Sequence, residues 1–226
     1  MRSTQPKRPL EFRVFEGPAC EQMPKLMRAG HVPAGAAEIM RGRLEGTLSF
    51  DEHYDSGDAI IYYPDGRIKL VWDSKHLCKL TPKSQLAAGD IMLPHGMGES
   101  IDGKLLMRDE VEEYTGKEHS KEGAQGNPFW QWFARGDNYL LCEYIDRCFA
   151  RVKERFGHDE TMDVYVSKYL KVTMPVLRPW CFGGGYYCDS AVVDSNHIDS
   201  GNCRLVGRRK RTWWDILNTP LRDLFA

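Results

Sequence analysis

GDAIIYYPDGRIKLVWD, residues 57–73, decides the fold. Two runs rich in Ile, Tyr and Val flank Pro64-Asp65-Gly66. Branched and aromatic side chains suit a pleated surface, and Pro-Asp-Gly presets a tight reversal, so the stretch predicts a β-hairpin.

Working outward, LEFRVFEGP (10–18) alternates and stops at Gly-Pro, which predicts a strand. DIML (90–93), MDVYVSKYLKVTM (162–174) and CRLVGRR (203–209) read the same way. GKLLMRDEVEEYTG (103–116) predicts a short strand and then a helix from Asp109 to Gly116.

Helical signals lie between and after the strands. Residues 22–46 predict a helical hairpin, with Pro24 in a first turn, GHVP as the break and Gly46 after the second helix. Asn127-Pro128 caps a short aromatic helix, FWQWFAR, which Gly136 ends. Asp137 caps a longer one over 138–156, and Gly157 suits its C-terminal end. Along that helix Leu141, Ile145, Cys148, Val152 and Phe156 make one apolar stripe, while Glu143 and Arg147 are placed to pair in solvent. TWWDILNTPLRDLFA (212–226) reads as further short helix, with Thr212 and Thr219 as caps.

Strands joined by hairpins rather than by regular helical crossovers predict an α+β fold. The expected sheet is mostly antiparallel, covered by a few helices, in a single domain over 1–226.

Composition narrows the function classes. With 42% hydrophobic and 28% charged residues, a packed core is expected. A net charge of −1 leaves no global attraction to nucleic acid or membrane, so any such binding must come from a local patch. No apolar run reaches the length of a membrane span. The first residues carry positive charge without an apolar core behind it, so no secretory leader is expected. Seven cysteines make an odd count without a dense framework, which predicts reduced thiols and a cytoplasmic location.

Motifs that would transfer a mechanism are missing. There is no Walker loop, no G-x-G-x-x-G opening a helix and no G-x-S-x-G elbow. The FGGGYY stretch (182–187) reads as a connection rather than a phosphate cradle.

Two short stretches echo one another: HYDSGD from His53 and HIDSGN from His197. Asp-Ser-Gly is turn chemistry, since Asp and Ser bond their own backbone and Gly accepts positive φ, so both predict turns that feed strands. The functional alternative brings His53 and His197 together with Asp55 and Asp199. Cys181, Cys188, His197 and Cys203 are soft ligands in one span, and zinc is the metal such a set would take, although no C-x-x-C knuckle is present. Cys188 with His197 or His53 would instead make a thiol nucleophile and its base. No cofactor is otherwise predicted.

One segment concentrates positive charge. Arg204, Arg208, Arg209, Lys210 and Arg211 run into Trp213, and the hairpin adds Tyr62 and Trp72. Arginines take phosphates and aromatic rings stack on bases, so this set predicts a polyanionic partner, nucleic acid or nucleotide. The competing readings are a hydrolase built around residues 181–203 and a non-catalytic interaction module whose tryptophan-rich surface packs on another chain.

Overall fold

A computed structural model describes residues 11–87, 89–157, 162–167, 172–183, 191–194 and 198–210. Its elements begin with β1 (Phe12–Glu16), α1 (Ala19–Arg28), β2 (His31–Pro33) and α2 (Ala36–Leu44). The hairpin strands β3 (Tyr54–Tyr62) and β4 (Ile68–Val71) come next. Then follow β5 (Leu86–Ala87), β6 (Asp90–Met92), α3 (Met97–Ser100), β7 (Lys104–Leu106), α4 (Arg108–Tyr114), β8 (Glu118–His119) and α5 (Lys121–Gly126). The chain continues through α6 (Pro128–Phe133), α7 (Asn138–Phe156), β9 (Met162–Tyr165), β10 (Val176–Gly183), β11 (Ala191–Asp194) and β12 (Arg204–Arg209). The fold is α+β.

The main sheet runs β1-β12-β3-β10-β11-β9-β8. Most pairings are antiparallel, and two are parallel, β12 with β3 and β11 with β9. Hairpins account for β3–β4, β5–β6 and β10–β11. The centre is assembled differently: β12 returns from the far end of the chain to lie between β1 and β3.

The decisive hairpin forms as expected, with Ala59 opposite Val71 and Tyr62 opposite Ile68. Its first strand is buried along its whole length. Ile60 and Tyr62 face a core under α2, α6 and α7, while Ala59 and Ile61 face a second core under α1. Burial on both faces is why this strand reads as a continuous apolar run rather than an alternation. In the first core Phe133 meets Trp180 edge-on at 5.0 Å and Phe182 at 5.4 Å. Such edge-to-face packing fits the ring quadrupoles and fixes α6 on β10.

The caps are where the sequence puts them. Asn127 Oδ1 accepts from Phe129 N at 2.9 Å, and Asp137 Oδ1 accepts from Leu140 N at 3.0 Å. Gly157 closes α7 in the left-handed region at φ 75°. Leu141, Ile145, Cys148 and Val152 are all buried, as the stripe requires. Lys121 bridges to Asp146 on the solvent side at 2.6 Å, and among the described residues Arg147 has no ion pair with Glu143.

Three expectations need correction. Residues 22–46 are not a helical hairpin: the break is strand β2, which pairs with β12 and separates the two helices. Helix α1 begins at Ala19, so Pro24 lies inside it rather than in its first turn. The Asp55-Ser56-Gly57 stretch is not a turn but the first half of β3. Gly57 does not adopt a positive φ. A glycine is needed because a Cβ there would stand 2.8 Å from the Pro33 Cβ and 3.0 Å from its carbonyl oxygen.

Strand β10 has no counterpart in the sequence reading. It is central and buried, yet it contains Pro179, which argues against an interior strand. The pairing with β3 shifts register between Pro179 and Cys181, so the missing N–H falls at an irregularity in the ladder.

Candidate binding surface

The two echoed stretches do meet, though as architecture. His53 Nε2 lies 2.9 Å from the carbonyl oxygen of Asn202, the last residue of the second stretch. Asp55 Oδ2 accepts from Arg204 N at 2.7 Å where β12 begins. In the second stretch Ile198 is buried, and Cys203 N donates to Ser200 O at 3.4 Å, so this copy is the turn that both were expected to be.

Cys181 and Cys203 come together around Asp55. Burial raises the Cys181 thiol well above its ordinary value, and the Asp55 carboxylate adds to the shift. Burial likewise pushes Cys203 up to about 12, again with Asp55 contributing. Raised thiols hold their protons at neutral pH and are poor nucleophiles. Cys188 and His197 lie outside the described residues. Among the described residues no three His, Cys, Asp or Glu side chains gather closely enough to hold a metal.

The basic strand carries its arginines in ion pairs. Arg204 reaches Glu16 at 3.0 Å and also pairs with Glu52. Arg208 meets Glu38 at 2.7 Å, and Arg209 meets Glu11 at 3.2 Å. Alternation sends Arg208 and Arg209 to opposite faces of β12. Lys210 follows the strand, its N–H donating to Gly30 O at 3.1 Å. Tyr62 is 5% exposed and receives Ser167 N on its hydroxyl, so it offers no open ring for stacking. Arg211 and Trp213 lie outside the described residues.

Trp72 is different. It is 45% exposed at the end of the hairpin. Its ring stacks on Trp132 of α6, centroids 5.5 Å apart and planes at 18°, and its Nε1 donates to Trp132 O at 3.1 Å. Arg135 sets its guanidinium 5.6 Å from the Trp72 ring centroid. That arginine has positive φ, 56°, as does its partner Asp73, 46°. Non-glycine residues in this region are uncommon and are held there by surrounding contacts.

Asp58, within β3, supplies those contacts. Its carboxylate is fully buried and accepts from Ala36 N at 2.7 Å and Asp73 N at 2.8 Å. Arg135 Nη2 donates to it at 3.3 Å and reaches Asp73 at 2.9 Å. Burial raises the Asp58 pKa, and these donors oppose that shift. One carboxylate thus fixes the first turn of α2, the hairpin exit and the α6–α7 corner. A Cβ on Gly35 would stand 2.6 Å from Arg135 Nη2, so glycine opens the approach. On the same corner Asp137 pairs with Arg41 at 3.0 Å, and two residues on Tyr139 is 80% exposed. Sequence reading named Trp72 but missed Arg135 and Asp58. The one available signal was the aromatic run 129–133 ending in an arginine before Gly136.

No helix among the described residues is long and apolar enough to cross a membrane. No family model matches the chain, and no curated protein matches it in sequence. One solved structure, described as "Accommodation of massive sequence variation in Nanoarchaeota by the C-type lectin fold", is similar with a TM-score of 0.64 and 14% identity. The match covers 92% of this chain and 100% of that one. At that identity the likeness shows the fold alone: this chain is built on the C-type lectin fold.

Proposed function

We propose that the chain is a non-catalytic recognition module that holds a protein partner at the Trp72–Trp132–Arg135 surface. The observation that carries this reading is an exposed tryptophan stacked on a second tryptophan, beside an arginine locked by a buried carboxylate. Tryptophan and arginine on a rigid support are the side chains that dominate protein interfaces, because they present large area at little ordering cost. The solved structure of the same fold is described as accommodating massive sequence variation, and a scaffold that tolerates sequence change suits recognition. The raised pKa values of Cys181 and Cys203 speak against a thiol nucleophile at either position. The odd cysteine count without a dense framework supports a reducing, cytoplasmic setting.

The test starts with capture of partners from source cells on wild-type chain and on Trp72→Ala. A protein lost with Trp72→Ala is then purified and titrated against both chains. The reading requires at least a tenfold weaker Kd for Trp72→Ala with an unchanged fold. Labelled RNA and DNA titrated at two salt concentrations decide the polyanion alternative. Steeply salt-dependent binding that Trp72→Ala leaves intact would replace the protein partner with nucleic acid.

A further inference from the structure

Asn127 joins α5 to α6, and its buried side chain is committed at both ends. Its Oδ1 accepts from Phe129 N at 2.9 Å, and its Nδ2 donates to Tyr114 O at 3.0 Å. A backbone N–H can only donate and a carbonyl can only accept, so these partners fix which amide atom is oxygen and which is nitrogen. His119 Nε2 lies 3.0 Å from that same Nδ2. An amide nitrogen has no lone pair to offer, so the imidazole Nε2 is the acceptor. His119 is therefore neutral in this arrangement, with its proton on Nδ1.

The contact has no place for a second imidazole proton. With Nε2 protonated, two N–H groups would face each other at a buried site. Rotating the amide would satisfy the imidazolium but set Nδ2 against Phe129 N and Oδ1 against Tyr114 O, losing two bonds to make one. Swinging His119 outward instead leaves a buried Asn127 N–H without its acceptor. Imidazole changes charge between about pH 8 and about pH 5, and the half-buried ring is open to protons.

The charges around the ring offer no replacement bond. Glu118 of β8 and Asp163 of β9 stand opposite each other, and alternation puts both on the other face of the ladder from His119. The Asp163 carboxylate interacts with His119 through space, which draws a charged ring off Asn127. On α5, Lys121 is spent on Asp146 of α7 at 2.6 Å, and Glu122 accepts from Ser120 Oγ at 3.2 Å. On α4, Glu110 and Glu113 act on the Tyr114 hydroxyl, and α6 carries no charged side chain. Among the described residues none of these groups bonds to the imidazole. Strand β8 itself keeps only a two-residue pairing with β9.

We infer that His119 and Asn127 form a pH-operated latch: neutral His119 holds β8 and α5 to the start of α6, and proton uptake on Nε2 loosens them. One proton passes from solvent to Nε2, and one hydrogen bond, from Asn127 Nδ2, is broken.

Two measurements on the full chain test the latch. At about pH 8, ring ¹H–¹⁵N spectra should show His119 as the Nδ1–H tautomer. Amide exchange, corrected for its intrinsic pH dependence, is then compared at about pH 8 and about pH 5. Protection of Ala124, whose N–H donates to Ser120 O, and of Phe129 is expected to fall about tenfold at the lower pH, as the loss of one hydrogen bond implies. Leu141 in α7 should stay within about twofold. His119→Gln keeps an acceptor that does not titrate, so Ala124 and Phe129 should change less than about twofold in that variant. The Nε2–H tautomer, unchanged protection in wild type, a fall at Leu141 as large as at Ala124, or an equal fall in His119→Gln would each overturn the latch.

Discussion

Trp72 lies parallel to Trp132, ring on ring at 5.5 Å, and the indole N–H of the first is bonded to the backbone oxygen of the second. The exposed ring is thereby held in one orientation before any partner arrives. Truncation to alanine removes the stack and one hydrogen bond, together worth about 1–2 kcal/mol of stability at a half-exposed site. Thermal unfolding of Trp72→Ala should show that modest loss, while partner affinity falls tenfold or more.

Asp58 ties three segments through two N–H donors and Arg135. Asp58→Asn keeps the shape but turns one acceptor into a donor facing a backbone N–H, so a loss of about 1–3 kcal/mol is expected. The pH dependence has a definite sign. With a folded pKa raised above 3.8 by burial, the protonated form is favoured in the native state. The contribution of this group is therefore fully present below 3.8 and is lost as pH rises through the folded value. The stability difference between wild type and Asp58→Asn, followed by denaturant titration, should shrink across that window and level off above it. A difference that grows with pH would mean the donors outweigh burial.

Gly57 stands against β2 with no room for a methyl group: the Pro33 Cβ is 2.8 Å from where its Cβ would be. Gly57→Ala must push β2 away from β3, at about 1–3 kcal/mol for overpacking. Because the backbone there is not left-handed, the cost comes from the clash. Pro33→Gly in the same chain should restore part of it, since the blocking atom is removed. No recovery in the double variant would locate the clash at the Pro33 carbonyl oxygen, 3.0 Å from the added Cβ, which the substitution leaves in place.

The thiols separate by environment. Cys142 is exposed, whereas Cys181 and Cys203 are buried beside Asp55. With Cys203 near 12, about one thiol in ten thousand is ionised at pH 8. Iodoacetamide should therefore label Cys142 well before Cys203, and Cys203 should react only on unfolding. Fast labelling of Cys203 in the folded chain would revive a nucleophilic role for this cluster.

Where local chemistry dominates, the sequence was readable. The Pro64-Asp65-Gly66 hairpin, the Asn127 and Asp137 caps and the α7 stripe from Leu141 to Val152 each depend on residues a few positions apart, and each formed. Long-range assembly was not readable. Strand β12 pairs with β1 and β3 across most of the chain, and nothing in CRLVGRR specifies those neighbours. Pro179 hid β10 because its tolerance depends on a bulge set by the partner strand. The proposed surface was half visible: Trp72 stood out by composition. Arg135 and Asp58 did not, because their roles depend on a contact across 77 residues. The arginines of β12 looked free in the sequence because Glu11, Glu16, Glu38 and Glu52 come from elsewhere.

The most direct test of the recognition reading is the Kd of the captured partner measured by calorimetry for wild type, Trp72→Ala, and a control variant of the α7 rim, Arg155→Gln. A protein partner seated on Trp72 predicts a tenfold or greater loss for Trp72→Ala and an unchanged Kd for Arg155→Gln. Equal affinity for all three chains would contradict it and remove the Trp72–Trp132–Arg135 surface from the function of this protein.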